Sequence, residues 1–329
     1  MTAIVAETQI GPARAVIAYS LWPVFIVGAT LVVWHSVGPT GNIGAAFLSA
    51  AVLVTLLVAL ERWIPKRKSW DALTDSQVIN DAAHGVVQNE IGTRLGELVL
   101  LAVLSARGGD SVGTSSLWPH GLPFPAQALL AIFIADGLEY WRHRMLHQVS
   151  WLWPIHALHH SAGRMHVLKG GRLHAFDLLS RYLVVFAPLL ALGVPRPVVL
   201  WYAAALLIIG PISHANLALR FPAWLHRIVV TPPEHHLHHA RDLSVAASNY
   251  APVFPVWDIL FGTFHHPDEH TLGEVGIEHD PIPAGFFRQC LAPLVWSRLV
   301  QIRDSSERGR SRPLGARDPV DATRADVDA

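Results

Sequence analysis

Residues 143–160 read HRMLHQVSWLWPIHALHH, and residues 235–239 read HHLHH. These two stretches contain three spaced motifs: His143-x-x-x-His147, His156-x-x-His159-His160 and His235-x-x-His238-His239. Positions i, i+3 and i+4 share one face of an α-helix. Each motif therefore presents two or three imidazoles to one point, which is what a metal ion requires of a helix.

The density of histidines favours two metal ions over one. The 329 residues include 20 histidines, of which seven lie between His143 and His174 and six between His214 and His239. Clustered buried imidazoles need a common partner, and eight nitrogen ligands exceed the four that zinc usually takes. Imidazole ligation suits iron, copper or zinc, and two neighbouring ions suit oxygen activation or hydrolysis.

Long apolar runs surround these motifs and predict an all-α, polytopic membrane helical bundle with a histidine-rich metal cap. Apolar residues make up 51% of the chain and charged residues 15%, well below the roughly 25% charged of soluble domains. Runs of about 20 apolar residues can span a bilayer. The predicted helices cover residues 15–37, 43–60, about 76–105, 126 onward into the first motif, 178–192 and 198–217. The run at 178–192 is short, and a buried or re-entrant helix is the alternative there.

Positive charge predicts the orientation of the bundle. Arg62, Lys66, Arg67 and Lys68 follow the second run, and basic loops favour the cytoplasmic side. Counting the later helices from this point places every histidine motif at the cytoplasmic face. The arginine-rich, lysine-poor composition is typical of a bacterial source, so the expected location is a bacterial inner membrane.

Three segments are expected: an N-terminal transmembrane hairpin (1–75), a di-metal domain with transmembrane helices (76–302) and a disordered charged tail (303–329). The balanced charge, 25 basic and 25 acidic residues, indicates no nucleic-acid partner. Cys290 is the single cysteine, which excludes an internal disulfide, a cysteine-based zinc site and a cysteine-ligated iron–sulfur cluster.

The motifs together resemble the fatty acid hydroxylase/sterol desaturase superfamily of membrane di-iron enzymes, over about residues 77–264. The resemblance includes Asp136-x-x-x-Tyr140-Trp141 before the first motif, Arg172-x-His174-x-x-Asp177, Ser213-His214-x-Asn216, Asn249-Tyr250 and Trp257-Asp258-x-x-Phe261-Gly262-Thr263. Two positions depart from the family pattern: Ala175 stands where the family has proline, and His166 where many members have asparagine.

The resemblance implies a set of metal ligands. They are His143, His147, His156, His159, His160, His214, His235, His238 and His239. His174 is a further candidate, either as a ligand or as a partner of one. His236 lies about 100° around the helix from His235 and is expected not to bind metal. His84 is expected to be a buried, hydrogen-bonded histidine, and the histidines after residue 264 to lie in solvated loops.

Three polar residues are candidates for supporting the ligands. Asp136 and Asp258 would orient ligand imidazoles through their second ring nitrogen, or would act only as a helix-end charge and a cap. Asn249 would be a partner of a ligand or only a turn residue.

The resemblance further implies O2-dependent hydroxylation or desaturation of a sterol or fatty-acyl lipid, with two iron ions and an external electron donor such as a ferredoxin or a cytochrome with its reductase. Two other classes remain open. A di-zinc membrane hydrolase would use a metal-bound hydroxide, and a bis-histidine haem protein would carry electrons. A transporter is disfavoured, because the histidines gather at one face instead of lining a path.

Overall fold

The computed structural model describes residues 12–37, 43–106 and 117–310. In this part of the chain every regular element is helical, apart from isolated β-bridges such as Pro65 with Leu217. The chain divides into two compact units, residues 1–278 and 279–329. The all-α prediction is therefore confirmed for the described residues.

Eight α-helices in the described part of the first unit correspond to the predicted helical runs. They are α1 (Pro12–Val37), α2 (Ile43–Trp63), α3 (Val78–Ala83), α4 (Asn89–Ala106), α5 (Phe124–Gln148) and α9 (Arg196–His214), with α7 (Ala175–Arg181) and α8 (Ala187–Ala191) between α5 and α9. Two π-turns, His84–Gln88 and Tyr182–Phe186, join α3 to α4 and α7 to α8. The predicted helix at 76–105 thus forms with a local change of winding.

Helix α9 lies between two apolar clusters and so positions the site. On one side, Ile208 and Ile212 pack with Trp22 of α1 and Leu57 of α2. On the other, Tyr202 packs with residues of α5 and α8, among them Ala131 and Leu189. The helix ends at His214 instead of continuing to Leu217, because Ala215 takes an extended conformation.

Among the described residues, two helices have the length and composition to cross a membrane: Ala15–His35 and Arg196–His214. Only 11% of the first window is buried inside the protein, so its apolar side chains face the surroundings, which favours lipid over a soluble core. Within the described ranges the other predicted spans form helices, but their crossing stays a prediction.

Four short helices complete the first unit and carry the remaining motifs. They are α6 (Trp153–His160), α10 (Pro232–His238), α11 (Leu243–Ala246) and α12 (Val256–Leu260). Helix α10 starts with a capping box, in which the hydroxyl of Thr231 and the carboxylate of Glu234 satisfy the first turn, and with two prolines at its first positions. These local signals determine where α10, the helix that carries the third histidine motif, begins.

The second unit contains α13 (Phe286–Leu291) and α14 (Trp296–Arg310), joined by a 3₁₀ turn at Ala292–Val295. The disordered tail expected from residue 303 is wrong for residues 303–310, which continue α14. Local helix propensity extends past the last apolar side chain, Ile302. Residues 311–329 lie outside the described residues. The expected boundaries at 75 and 302 stay predictions.

The backbone of α9 at Gly210 lies close to the backbone at Gly170, and this contact helps to position α9. A Cβ on Gly170 would lie 2.7 Å from the carbonyl of Gly210, whereas a Cβ on Gly210 would have its nearest contact at 3.8 Å. We expect Gly170→Ala to destabilise the protein by about 1–3 kcal/mol because backbone cannot move aside as a side chain can.

The matched control is Gly210→Ala, which adds a methyl group on the other side of the same contact. It should be neutral or slightly stabilising, since alanine is about 1 kcal/mol better than glycine within a helix. Denaturant unfolding of both variants measures the difference, and equal stabilities would contradict the close approach.

Candidate metal centre

Nine of the ten candidate histidines come together in two groups. The ligand nitrogens of each group lie within 4.8 Å of one another. The first group has five members: His143, His147, His156, His160 and His238. The second has four: His159, His214, His235 and His239.

Helices α6 and α10 each contribute to both groups. On α6, His156 and His160 join the first group and His159 the second, while on α10 His238 joins the first and His235 the second. The groups are neighbours, since the rings of His160 and His239 stack with centroids 4.3 Å apart. The arrangement therefore offers two adjacent metal positions.

Backbone carbonyls fix the tautomer of three of these histidines. His143 Nδ1 lies 2.8 Å from the carbonyl oxygen of Tyr250, His238 Nδ1 lies 2.7 Å from that of Ser248, and His214 Nδ1 lies 2.7 Å from that of Gly210. A carbonyl oxygen only accepts, so each Nδ1 donates a proton. In the neutral ring, Nε2 then carries a lone pair.

A carboxylate fixes a fourth histidine in the same way. His156 Nδ1 donates to Asp177 Oδ2 at 2.6 Å, and the other oxygen of Asp177 accepts from Arg142 at 2.7 Å. Both side chains of this ion pair are buried. Asp177 thus presents an oxygen to His156 and leaves Nε2 of that ring as a lone pair.

These Nε2 lone pairs face one another. His143 Nε2 lies 3.0 Å from both His156 Nε2 and His238 Nε2, and His214 Nε2 lies 3.0 Å from His235 Nε2. No proton is left to bridge the first two contacts, so bringing these atoms together is unfavourable without a cation between them. Among the described residues, His147 Nε2 and His160 Nε2 are also buried without a hydrogen-bond partner. The donor set therefore fits metal ions.

Burial keeps the grouped histidines neutral. Desolvation lowers the pKa of His238 to about 4 and places the pKa of His156, His160 and His235 well below the usual 6.5. A neutral imidazole is the form that binds metal. The site is therefore ready for metal at neutral pH.

The structure corrects the expected role of Asp136 and Asp258. Asp136 accepts from the backbone amides of Val253 and Phe254, at 2.8 and 2.9 Å. Asp258 accepts from the amides of Tyr250 and Ala251, also at 2.8 and 2.9 Å, and from the Thr263 hydroxyl at 2.7 Å. Both carboxylates hold the segment that supplies the Tyr250 carbonyl, so they act on His143 through the backbone.

Asn249 is a turn residue that also holds α10. Its φ is +52°, in the left-handed region that asparagine tolerates. Its amide donates to the carbonyls of Glu234 and His265, and its oxygen accepts from the His265 amide. It thereby places Ser248 and Tyr250, whose carbonyls fix two ligands.

His174 and His236 lie outside both groups. His174 Nδ1 accepts from the Phe176 amide and caps the start of α7, so a ligand role is not supported. His236 receives a hydrogen bond from Lys66 at 3.2 Å and packs against Trp70, in agreement with its predicted position off the ligand face. His84 is buried, as expected.

The two departures from the family pattern are accommodated locally. The Ala175 amide donates to Gln88 Oε1 at 2.9 Å, a bond that proline could not make. His166 contacts Asp75 Oδ2 at 3.1 Å. Asp75, Asp81 and His166 are close enough to hold an ion, but Lys169 Nζ lies 2.8 Å from Asp75 and 2.5 Å from Asp81. The ammonium group takes the place of a metal there.

Asp177 and the three backbone carbonyls are the supporting groups that sequence reasoning did not identify. Asp177 carried a signal, since it is the acidic residue of the Arg172-x-His174-x-x-Asp177 motif. The carbonyls of Gly210, Ser248 and Tyr250 carried none, because every residue has one.

Comparison with known proteins gives the family. The fatty acid hydroxylase family model matches residues 128–263, which include all nine grouped histidines. An ornithine lipid hydroxylase of Rhizobium tropici is 34% identical over 73% of this chain and 72% of its own length. Human alkylglycerol monooxygenase is 30% identical over 43% of this chain but only 30% of its own length. A methylsterol monooxygenase of Arabidopsis thaliana is 29% identical over 42% and 52%, respectively.

No solved structure matches the chain significantly. The relatives are hydroxylases and monooxygenases, and the di-zinc hydrolase alternative is not supported. With the match over most of the bacterial hydroxylase, the chain belongs to the fatty acid hydroxylase family of lipid-modifying oxidoreductases.

Proposed function

We propose that this protein is a multi-pass membrane di-iron monooxygenase that hydroxylates a C–H bond of a polar lipid. The observation that supports the proposal is the pair of adjacent histidine groups. Within each group, ring nitrogens of neighbouring histidines lie 3.0–3.2 Å apart. Two iron ions bound there would supply redox chemistry with O2. The similarity to an ornithine lipid hydroxylase over most of its length supports a polar lipid as substrate.

The overall reaction takes one lipid C–H, one O2, two electrons and two protons to one C–OH and one water. The oxidised group is the carbon, and O2 is reduced. The electrons come from an external donor, a ferredoxin or a cytochrome with its reductase. Insertion of oxygen is favoured over desaturation because the relatives' names are those of hydroxylases and monooxygenases.

The chain's own residues hold and orient the centre. His143, His156 and His238 keep their Nε2 atoms free of protons through fixed Nδ1 partners. Lys66, Arg67 and Lys68 after α2 favour a cytoplasmic location of the histidine face, in a bacterial inner membrane. The candidate spans would place that face next to lipid acyl chains.

Metal content tests the proposal directly. Protein purified in detergent after growth with iron should hold about two irons per chain. The double variant His235→Ala/His239→Ala removes half of the four-histidine group and should lose one iron while keeping the other. His236→Ala, on the same helix but outside both groups, is the matched control and should keep both.

A product assay completes the test. Iron-loaded protein, given an external reductant and an ornithine-type or other polar lipid, should add one oxygen atom to the lipid, detected as a mass increase of about 16 Da. Two results would overturn the proposal. One is protein that still holds zinc instead of iron after anaerobic iron reconstitution. The other is a His236→Ala variant that loses as much iron as His235→Ala/His239→Ala does.

A further inference from the structure

Residues 286–302 of the second unit form a helical segment with an exposed apolar face. Its exposed apolar side chains are Phe287, Leu291, Leu294, Val295 and Ile302. Phe287 is 80% exposed and Leu294 68% exposed. In sequence the first four lie at i, i+4, i+7 and i+8, a spacing typical of one side of a helical segment; Phe287 and Leu291 belong to α13, and Leu294 and Val295 to the 3₁₀ turn. Single exposed apolar residues are common, but such a cluster on one face marks an interaction surface.

The charges of this segment are of one sign. Residues 281–303 contain Arg288, Arg298 and Arg303 and no aspartate or glutamate. Arg288 and Arg298 are exposed, while Arg303 pairs with Asp304 at 2.7 Å. The surface is therefore apolar with positive charge, and it complements an anionic partner that also offers hydrocarbon.

The position of Arg298 distinguishes between a membrane and a protein partner. In sequence it lies among the exposed apolar residues, between Val295 and Ile302, and is itself exposed. The core of an interface between two protein copies is depleted of charged residues. At a membrane surface, a long arginine side chain can cover apolar area and extend its guanidinium to the phosphates. The mostly unburied Ala15–His35 helix is a candidate membrane span, which favours a bilayer as the partner of this surface.

We propose that residues 286–302, which comprise α13, the 3₁₀ turn and the start of α14, form an interfacial helical segment that lies in the surface of the bilayer. Phe287, Leu291 and Leu294 would lie in the acyl boundary, and Arg288 and Arg298 at anionic headgroups. Helices of this composition bury their apolar face about 5–10 Å into the headgroup–acyl boundary. This proposal does not depend on the metal centre.

The single cysteine makes a site-directed test simple. In a Cys290→Ser background, one cysteine is introduced at a time as Phe287→Cys, Leu291→Cys or Leu294→Cys, and labelled with a nitroxide. Glu269→Cys, at an exposed position of the first unit, is the water-exposed control. The full-length protein is placed in nanodiscs containing phosphatidylglycerol, and collision of each label with O2 and with a water-soluble nickel chelate is measured.

The three helix labels should collide more with O2 than with the nickel chelate, at a depth of about 5–10 Å below the phosphates, and the control label should show the reverse. Adding Arg288→Glu and Arg298→Glu together should move the labels toward water. Helix labels as accessible to nickel as the control would overturn the proposal. Labels shielded from both reagents, with spin–spin broadening between copies, would assign the face to a second copy of the chain and overturn it equally.

Discussion

Asp177→Asn is expected to weaken metal binding by the five-histidine group by about 10- to 100-fold. Arg142 holds one oxygen of Asp177 at 2.7 Å, so the single oxygen of an asparagine would stay with the guanidinium. The amide NH2 would then face His156 Nδ1, and that ring would have to carry its proton on Nε2. A protonated Nε2 cannot bind metal.

The same substitution should also cost stability, about 3 kcal/mol, because it removes a charge that compensates the buried Arg142. Stability alone cannot account for the effect on metal. Asp258→Asn supplies the matched control, since Asp258 is a buried carboxylate that reaches the five-histidine group only indirectly. It holds the backbone of Tyr250 and Ala251 and the Thr263 hydroxyl and contacts no ring of that group.

Metal titration followed by unfolding separates the two effects. Asp177→Asn should bind one ion with nearly wild-type affinity, in the four-histidine group, and a second ion weakly. Asp258→Asn should also be less stable, but it should lose less affinity for the second ion than Asp177→Asn, because Asp258 acts on His143 only through the Tyr250 backbone. If Asp177→Asn bound both ions as tightly as the wild type, the orienting role of Asp177 would be excluded.

Acid is expected to destabilise the metal-free protein strongly between about pH 6.5 and pH 4. The unfolded chain binds a proton at each histidine near pH 6.5, whereas burial lowers the folded-state pKa of His238 to about 4 and places that of His159 and His239 well below 6.5. Below pH 6.5 the unfolded state therefore binds more protons, and the free energy of unfolding falls by up to about 1.4 kcal/mol per pH unit for each such histidine.

Several buried carboxylates oppose this trend, and Asp258 is one of them. Burial raises the pKa of Asp258 to about 6, so the folded state takes up its proton before the unfolded state does, and this group adds stability as the pH falls from about 6 toward 4. Burial also raises the pKa of Glu61 and Glu234. The buried histidines with a lowered pKa outnumber these carboxylates, so the net effect is loss of stability in acid.

Denaturant unfolding of metal-free protein from pH 7.5 to pH 4.5 measures this slope. His238→Gln removes one contributor, and its free energy of unfolding should fall less steeply with pH than that of the wild type. A free energy of unfolding independent of pH over this range would show that the histidines are not buried as neutral groups.

The sequence alone determined the helices and the ligand faces. Apolar runs predicted α1, α2, α5 and α9 because bilayer-length apolar segments have few alternatives to a helix. Spacings of three and four residues predicted which histidines share a face, and the same periodicity excluded His236. These are local properties, set by the geometry of one helix.

Only the tertiary structure decided how the histidines divide and what orients them. His159 and His160 are adjacent in sequence but belong to different groups, because their rings point toward different neighbouring helices. The partner of His156 is Asp177, 21 residues away, and the partner of His143 is the Tyr250 carbonyl, 107 residues away. Such contacts depend on how helices pack against one another, and helical periodicity within a single segment carries no information about that packing.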